Sequence, residues 1–428
     1  MSVTAIIGAQ WGDEGKGKFV DELAANADFV VRYQGSSHAG HRVIYEQNAF
    51  SFRVVPSGVL QAGVKCVIGD GVVVDPRELL DELEGLRRLG KDVSQVYVSD
   101  RAHVVMPYHF VLDRLEAESR GIQQPAAVAR GIGPAYVDKH ARMGIRMADL
   151  LDVDQFRAKL ASVLAQKNRM ITQIYGQPPL SLEEIHTEYV GYAQQLQPHI
   201  GDTQTMLQAA LLEGDSILLE GAQGALQDAH FSGLAGVNPA ATVAGNASTG
   251  AGLPPRSIEH VLGVYKAYQT RVGSGPMPTE LFNGEGDALR EAGHEVSRAT
   301  GRPRRCGWLD AVLGRFVAKR NGFDNIAVTK LDVLDTLPSL KICTAYRLGG
   351  ETLCMPPANS TQFAACEPVY EEWPGWMSST RGVSEWAALP QNAQRYLRRI
   401  EELLQTPLAR VSTGPGRGET IRLRELSL

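Results

Sequence analysis

The feature that most constrains the fold is the N-terminal run V-T-A-I-I-G-A-Q-W-G-D-E-G-K-G-K, Val3 to Lys18. An apolar strand-like segment leads into a glycine-rich turn and then into a helical pattern from Phe19 to Ala25. A strand, a glycine turn and a helix N-terminus together make a phosphate cradle, because unpaired backbone N–H groups and the helix dipole point at the same place. The spacing is not that of the common P-loop. Gly15-Lys16 is followed by Gly17 rather than Ser or Thr, and Gln10 stands where the first glycine would be. An acidic pair, Asp13-Glu14, lies inside the turn. A carboxylate beside phosphates is an odd structural choice unless it binds Mg²⁺ or takes a proton. The alternative is a solvated acidic turn.

The same alternation continues along the chain. Short apolar runs at Phe29–Tyr33, Lys65–Ile68, Gln95–Val98, Ser216–Leu219 and Asn325–Thr329 have the continuous hydrophobicity of strands buried on both faces. Helical periodicity lies between them, at Pro76–Leu89, His109–Ser119, Val153–Ile174, Leu182–Leu212, Trp308–Arg320 and Asn392–Leu404. The fold class expected is α/β, a mainly parallel central sheet flanked by helices. No linker-like tract appears, so residues 1–428 are expected to form a single domain, with 151–214 as a helical insertion in it. The net charge of −5 gives no electrostatic case for nucleic acid or a membrane surface. No signal-like segment opens the sequence given, no 18-residue apolar run occurs, and the five cysteines lack C-x-x-C spacing. A cytoplasmic protein with reduced thiols is expected.

Three further segments carry chemistry. In R-Y-Q-G-S-S-H-A-G-H-R, His38 and His41 flank Ala39-Gly40 after a strand. A histidine beside phosphates can donate to a developing charge, although either ring could equally be a surface residue. In A-V-T-K-L-D-V-L-D, Lys330 and Asp332 follow an apolar strand. One carboxylate there can accept from both the N1–H and the 2-amino group of guanine, with the lysine stem along the ring. A strand followed by a helix cap gives the same letters. In S-R-A-T-G-R-P-R-R-C-G-W, Arg302, Arg304 and Arg305 crowd a glycine turn. That cluster suits a carboxylate or phosphate, or is a basic surface loop.

Taken together these segments resemble the adenylosuccinate synthetase family. The resemblance rests on W-G-D-E-G-K-G-K at Trp11–Lys18, V-V-R-Y-Q-G at Val30–Gly35, A-G-H at Ala39–His41, and P-S-G at Pro56–Gly58. It continues through R-G-I-G-P-A-Y at Arg130–Tyr136, E-G-A-Q-G at Glu220–Gly224, T-R-V-G at Thr270–Gly273 and P-T-E-L at Pro278–Leu281. T-K-L-D-V-L-D at Thr329–Asp335 and S-T-G-P at Ser412–Pro415 complete it, in family order over essentially the whole chain. The resemblance implies a P-loop-like GTP-binding core and a Mg²⁺- and GTP-dependent ligase that joins L-aspartate to IMP. It assigns Asp13 as base and metal ligand, His41 as donor to the β–γ phosphate region, and Gln223 as holder of the 6-oxyanion. Gly40 would complete the metal site. Gly12, Gly15, Lys16, Gly17, Gly40, Lys330, Asp332, Ser412 and Gly414 would bind GTP. Thr300, Arg302 and Arg304 would bind aspartate. A homodimer is implied, with Arg142 lent by one subunit to the other's nucleotide site.

Three departures from the family pattern converge on the acceptor's 5′-phosphate. His38 replaces an asparagine; Ala126 to Ala129 replace a threonine-bearing segment, with Val128 at the acceptor; and Asn238 replaces a threonine. Arg42 stands where the family has threonine. A hydrogen bond to a charged group contributes roughly 1.5–3 kcal/mol, so three lost contacts would cost roughly 4–9 kcal/mol, about 10³–10⁶ in affinity. The expectation drawn is a paralogue whose acceptor, held near His38, Val128, Arg142 and Asn238, is an oxo-heterocycle other than IMP. Ordinary adenylosuccinate synthesis with a rebuilt pocket is the alternative, and a non-ligating GTP binder the remaining one.

Overall fold

The computed structural model describes residues 2–37, 40–45, 48–121, 129–229, 238–296, 301 and 303–427. Ten described strands form one sheet: β1 (Val3–Gly8), β2 (Phe29–Arg32), β3 (Lys65–Ile68), β4 (Val96–Ser99), β5 (Ile200–Gly201), β6 (Ile217–Gly224), β7 (Ile258–Lys266), β8 (Asn325–Thr329), β9 (Leu408–Ser412) and β10 (Thr420–Arg422). Their spatial order is β10-β9-β8-β7-β1-β6-β2-β3-β4-β5. Every pairing is parallel except the last hairpin, β9 with β10.

The continuous apolar runs have a direct physical reading here. Val3, Ala5 and Ile7 of β1 enter one core, with Phe29, Val31, Ile217, Leu219, Ile326 and Val328. Ile6 enters the core on the opposite face, with Val30, Leu218, Leu262, Val264 and Ala327. Side chains alternate across a strand, so a sheet covered on both faces makes every position apolar. Ligands of such sheets gather beyond the carboxyl ends of the strands. The loops after β1, β2, β6, β8 and β9 all leave from that edge.

The segment 151–214 is not purely helical. Helix Val153–Arg169 continues as a π turn, Met170–Ile174. The long pattern at Leu182–Leu212 divides into Leu182–Leu196 and Thr203–Glu213, with Ile200–Gly201 between them as the edge strand β5. Pro198 and the Gly201-Asp202 pair mark that break. Phe156, Leu160, Ile185 and Leu196 pack in the same core as Ile6. A smaller sheet, Leu309–Asp310, Ser339–Leu348, Glu351–Leu353 and Glu367–Pro374, lies apart from the main one. Among the described residues no helix is long and apolar enough to cross a membrane.

Asp310 caps the helix Ala311–Asn321, accepting from Val312 N–H at 3.1 Å and Leu313 N–H at 3.0 Å, and also accepts the Tyr346 hydroxyl at 2.5 Å. Burial pushes its carboxyl up to about 6 from 3.8. The folded chain therefore holds the proton more tightly than the unfolded chain, and this contribution to stability is complete below 3.8 and lost as pH rises through about 6. Replacing Asp310 by Asn is expected to flatten the melting temperature between about pH 4 and 6, where the native protein loses a few degrees. An identical pH slope in both proteins would exclude Asp310 as the titrating group.

Candidate active site

The cradle begins where β1 ends. Gly15 has φ 89° and caps helix α1 (Lys16–Ala24), and Gly12 has φ 90°. Both lie in the left-handed region that a side chain disfavours. The two acidic residues face opposite ways. Glu14 turns inward, fully buried, and accepts from the N–H groups of Gln10 at 3.0 Å and Gly12 at 2.9 Å and from Lys16 Nζ at 2.6 Å. A Cβ on Gly8 would lie 2.4 Å from this carboxylate. Burial raises the Glu14 carboxyl, but Lys16 and the backbone donors more than reverse this and hold it below its ordinary value. The Lys16 charge is thus already met inside the loop rather than standing free, because a buried ammonium needs a counter-charge. Glu14 is a structural staple; the resemblance gives Asp13 a role and leaves Glu14 without one.

Asp13 turns outward. Its side chain is 36% exposed, and its backbone has φ 59°, a conformation tolerated by Asp and Asn better than by most residues. Oδ2 pairs with Arg304 Nη2 at 2.8 Å. Arg304 Nη1 donates to Glu295 Oε2 at 2.8 Å. The structure therefore brings the expected base and one expected aspartate-binding arginine into direct contact.

His41 opens the strand His41–Tyr45. Its Nδ1 meets Glu220 Oε1, and Nε2 lies 3.0 Å from the Ala222 carbonyl oxygen. Arg32 Nη1 reaches both Nδ1 of His41 and Oε1 of Glu220 at 2.9 Å. Ser57 donates to Glu220 through N–H and Oγ, each at 2.8 Å. Burial and the Arg32 guanidinium hold the imidazole below its ordinary value, against Glu220. The Nδ1 edge of the ring faces the Glu220 carboxylate and Arg32, and Nε2 faces the Ala222 carbonyl oxygen, an acceptor for an Nε2–H. Glu220, in the E-G-A-Q-G stretch, organises this cluster; an acid in an otherwise apolar run is the signal that marks it. A Cβ on Gly17 would come within 3.1 Å of His41 Cβ, so α1 and the histidine are in close approach.

Gln223 is 8% exposed, and among the described residues neither its amide oxygen nor its amide nitrogen has a hydrogen-bond partner. Buried amides are normally paired, so this one is available to a ligand. It stands between Gly35 after β2 and the β1 loop, since a Cβ on Gly35 would be 3.1 Å from its nitrogen. A Cβ on Gly40 would meet no atom of the described residues within 4 Å.

On the other side, Thr329 Oγ1 donates to the Glu14 carbonyl at 2.6 Å, joining the end of β8 to the cradle. Lys330 has φ 61°, and its Nζ donates to the Gly293 carbonyl at 2.8 Å. Asp332 is half-buried, and burial raises its carboxyl above the ordinary range. Asp335 is structural, accepting from Trp376 Nε1 at 2.7 Å and Thr380 N–H at 2.7 Å. The loop after β9 is tied to α1 by Lys18, whose Nζ donates to Ser412 Oγ at 2.7 Å and the Gly414 carbonyl at 2.8 Å. Burial lowers the Lys18 ammonium to about 8. The G-K-G-K spacing carries Lys18 but gives no sign of this tie.

The acceptor and aspartate positions are only partly on view. His38, Val128, Thr300 and Arg302 lie outside the described residues. Asn238 Oδ1 accepts from Ala240 N–H at 2.9 Å, which leaves only its Nδ2 hydrogens to serve an anion. Arg142 is exposed on the turn after helix Ile132–His140, with φ 64°.

Among the described residues no group of three or more His, Cys, Asp or Glu side chains forms a metal cage. Among the described residues of the cradle, Asp13 supplies an outward carboxylate. That donor set fits Mg²⁺, which is held through one or two carboxylates together with substrate phosphates and water.

Comparison with known proteins places this geometry. The family model described as adenylosuccinate synthetase matches residues 5–421. The chain is 49% identical over 425 residues to the adenylosuccinate synthetase of Heliobacterium modesticaldum, covering 99% of this chain and 100% of that one. It is 50% identical over 423 residues to that of Moorella thermoacetica, covering 99% of each. The solved, fully ligated adenylosuccinate synthetase of Plasmodium falciparum superposes with a TM-score of 0.92 at 33% identity, over 99% of this chain and 100% of that one. Nothing in these matches marks a member with an altered acceptor, and they favour the ordinary reading over the changed-acceptor expectation. The chain is a GTP-dependent ligase that forms a C–N bond, and it belongs to the adenylosuccinate synthetase family.

Proposed function

We propose that this protein joins L-aspartate to IMP at the expense of GTP, giving adenylosuccinate, GDP and phosphate. The observation that carries the reading is the Asp13–Arg304 contact at 2.8 Å, which sets a proton acceptor and a carboxylate binder side by side over a phosphate cradle. The relatives that share about half of all positions support the same acceptor.

In this reading Asp13 accepts the N1 proton of IMP, and Gln223 donates its amide hydrogens to the 6-oxygen as charge builds there. The 6-oxygen attacks the γ-phosphorus of GTP and GDP departs. His41, held by Glu220 and Arg32, donates to the β–γ region when its Nε2–H leaves the Ala222 carbonyl oxygen. Arg304 and Arg302 hold the aspartate carboxylates while its amine attacks C6 and releases phosphate. Lys330 and Asp332 read guanine, and Ser412 and Gly414 line the nucleotide on the far side. Mg²⁺ held by Asp13 and the Gly40 carbonyl would neutralise charge on the phosphate oxygens. A second copy of the chain supplies the exposed Arg142 to the 5′-phosphate.

The test is mass spectrometry of the pure protein with GTP, Mg²⁺, L-aspartate and IMP, with inosine in a parallel reaction. Adenylosuccinate from IMP and nothing from inosine is expected. Product from inosine alone, or none from IMP in a protein that still binds GDP, would overturn the proposed acceptor.

A further inference from the structure

Glu295 is a fully buried carboxylate that the reaction above does not use. It stands shortly after helix Gly284–Ala292, at the base of the arginine-rich turn. Main chain and side chain both close that base. Arg304 N–H donates to the Glu295 carbonyl at 2.9 Å, and Val296 bridges Pro303 in antiparallel fashion. The Glu295 carboxylate receives Arg304 Nη1 at 2.8 Å on Oε2, and Lys266 Nζ at 2.8 Å and the Tyr268 hydroxyl at 2.5 Å on Oε1. Lys330 Nζ lies 3.9 Å from the same Oε1 and grips Gly293, two residues earlier, at 2.8 Å. One carboxylate thus faces three cations, and two of them belong to different ligands: Lys330 to guanine, Arg304 to aspartate.

We propose that Glu295 is a positioning residue that couples the guanine and aspartate pockets. The proposal rests on the functional reading for the names of the two ligands. A guanine ring laid along Lys330 alters the field at Glu295. Buried charges a few ångströms apart are poorly screened, so the change is felt by Arg304, the carboxylate's other partner. Filling one pocket then sets how firmly Arg304 is presented in the other. Binding linkage makes the effect reciprocal.

Titration of GDP into the intact protein with IMP, with and without L-aspartate, measures this coupling without turnover. In the native protein aspartate is expected to tighten GDP binding about fivefold or more. In Glu295→Gln the ratio is expected to fall to within about twofold of unity, with the aspartate KM raised about tenfold and kcat within about threefold of native. A purely structural role would lower kcat and melting temperature while leaving the ratio intact. Lys330→Met is expected to remove the same ratio, and it decides the matter if Glu295→Gln does not fold. A native ratio of one, or a ratio that survives in either variant, overturns the proposal. A native protein that shows the linkage yet makes no adenylosuccinate would defeat the functional reading and leave the coupling standing.

Discussion

Asp13→Asn is expected to lower kcat by about 10³-fold or more, near the upper part of the range for a positioned general base and with loss of a metal ligand added. The substitution is a clean one. Asp13 holds φ 59°, and Asn tolerates that conformation as well as Asp does, so the loop geometry survives. The side chain is 36% exposed, so no buried cavity or orphaned core charge follows. Glu14, fully buried on Gln10 and Gly12, continues to hold the loop in place. GDP affinity without metal is therefore expected to stay within about threefold of native, while single-turnover transfer from GTP collapses. Calorimetry with GDP and a rapid-quench assay read the two quantities separately. Product formation at more than about a tenth of the native rate would remove Asp13 from the role of base.

The contrast between Asp13 and Glu14 shows where sequence legibility ends. Strand, turn and helix were readable from Val3 to Ala25, because apolar continuity and glycine spacing are local signals. The same signals located β3 and β8 to the residue. They missed β7 and β9. His260 interrupts the apolar run in the first, and Arg410 in the second; Arg410 is buried against Glu22 at 3.6 Å. What two adjacent carboxylates do depends on which way each points, and that is set by Lys16 and by the absence of a Cβ at Gly8 and Gly224. Glu295 carried no local signal at all. Its partners Lys266, Arg304 and Lys330 come from three separate segments, which only the parallel sheet brings together. For the acceptor, relatives at about half identity favour the ordinary reading over the one drawn from three altered letters. Three altered letters count as three lost hydrogen bonds only if nothing else in the pocket meets the phosphate, which a list of side chains does not say.

The other large effect expected is on stability, from Glu220→Ala. Arg32 is 1% exposed and His41 is 6% exposed at the side chain, and both depend on this one carboxylate. Burial raises the Glu220 carboxyl, and Arg32 and His41 more than reverse this, so it is held well below the ordinary range and is ionised at neutral pH. Removing it leaves a buried guanidinium whose remaining side-chain bond is from Nη2 to the Arg53 carbonyl, at 2.8 Å, beside His41. Breaking a buried ion pair from one side costs about 3–5 kcal/mol. A fall of roughly 5–10 °C in melting temperature is expected for a chain of this size. Glu220→Gln keeps the volume and an acceptor for Ser57, so a smaller fall is expected from it, and the difference between the two variants isolates the packing and hydrogen-bond share from the charge. Activity follows a different logic. Without the carboxylate, the Arg32 and Lys16 charges favour the neutral imidazole still further, and the ring loses one of the partners that fix its orientation. Both variants should therefore lose kcat more than affinity for GTP. A melting temperature within about 1 °C of native in Glu220→Ala would mean that the Arg32–His41–Ser57 cluster holds together without its central charge, and would remove the basis for placing His41 by that route.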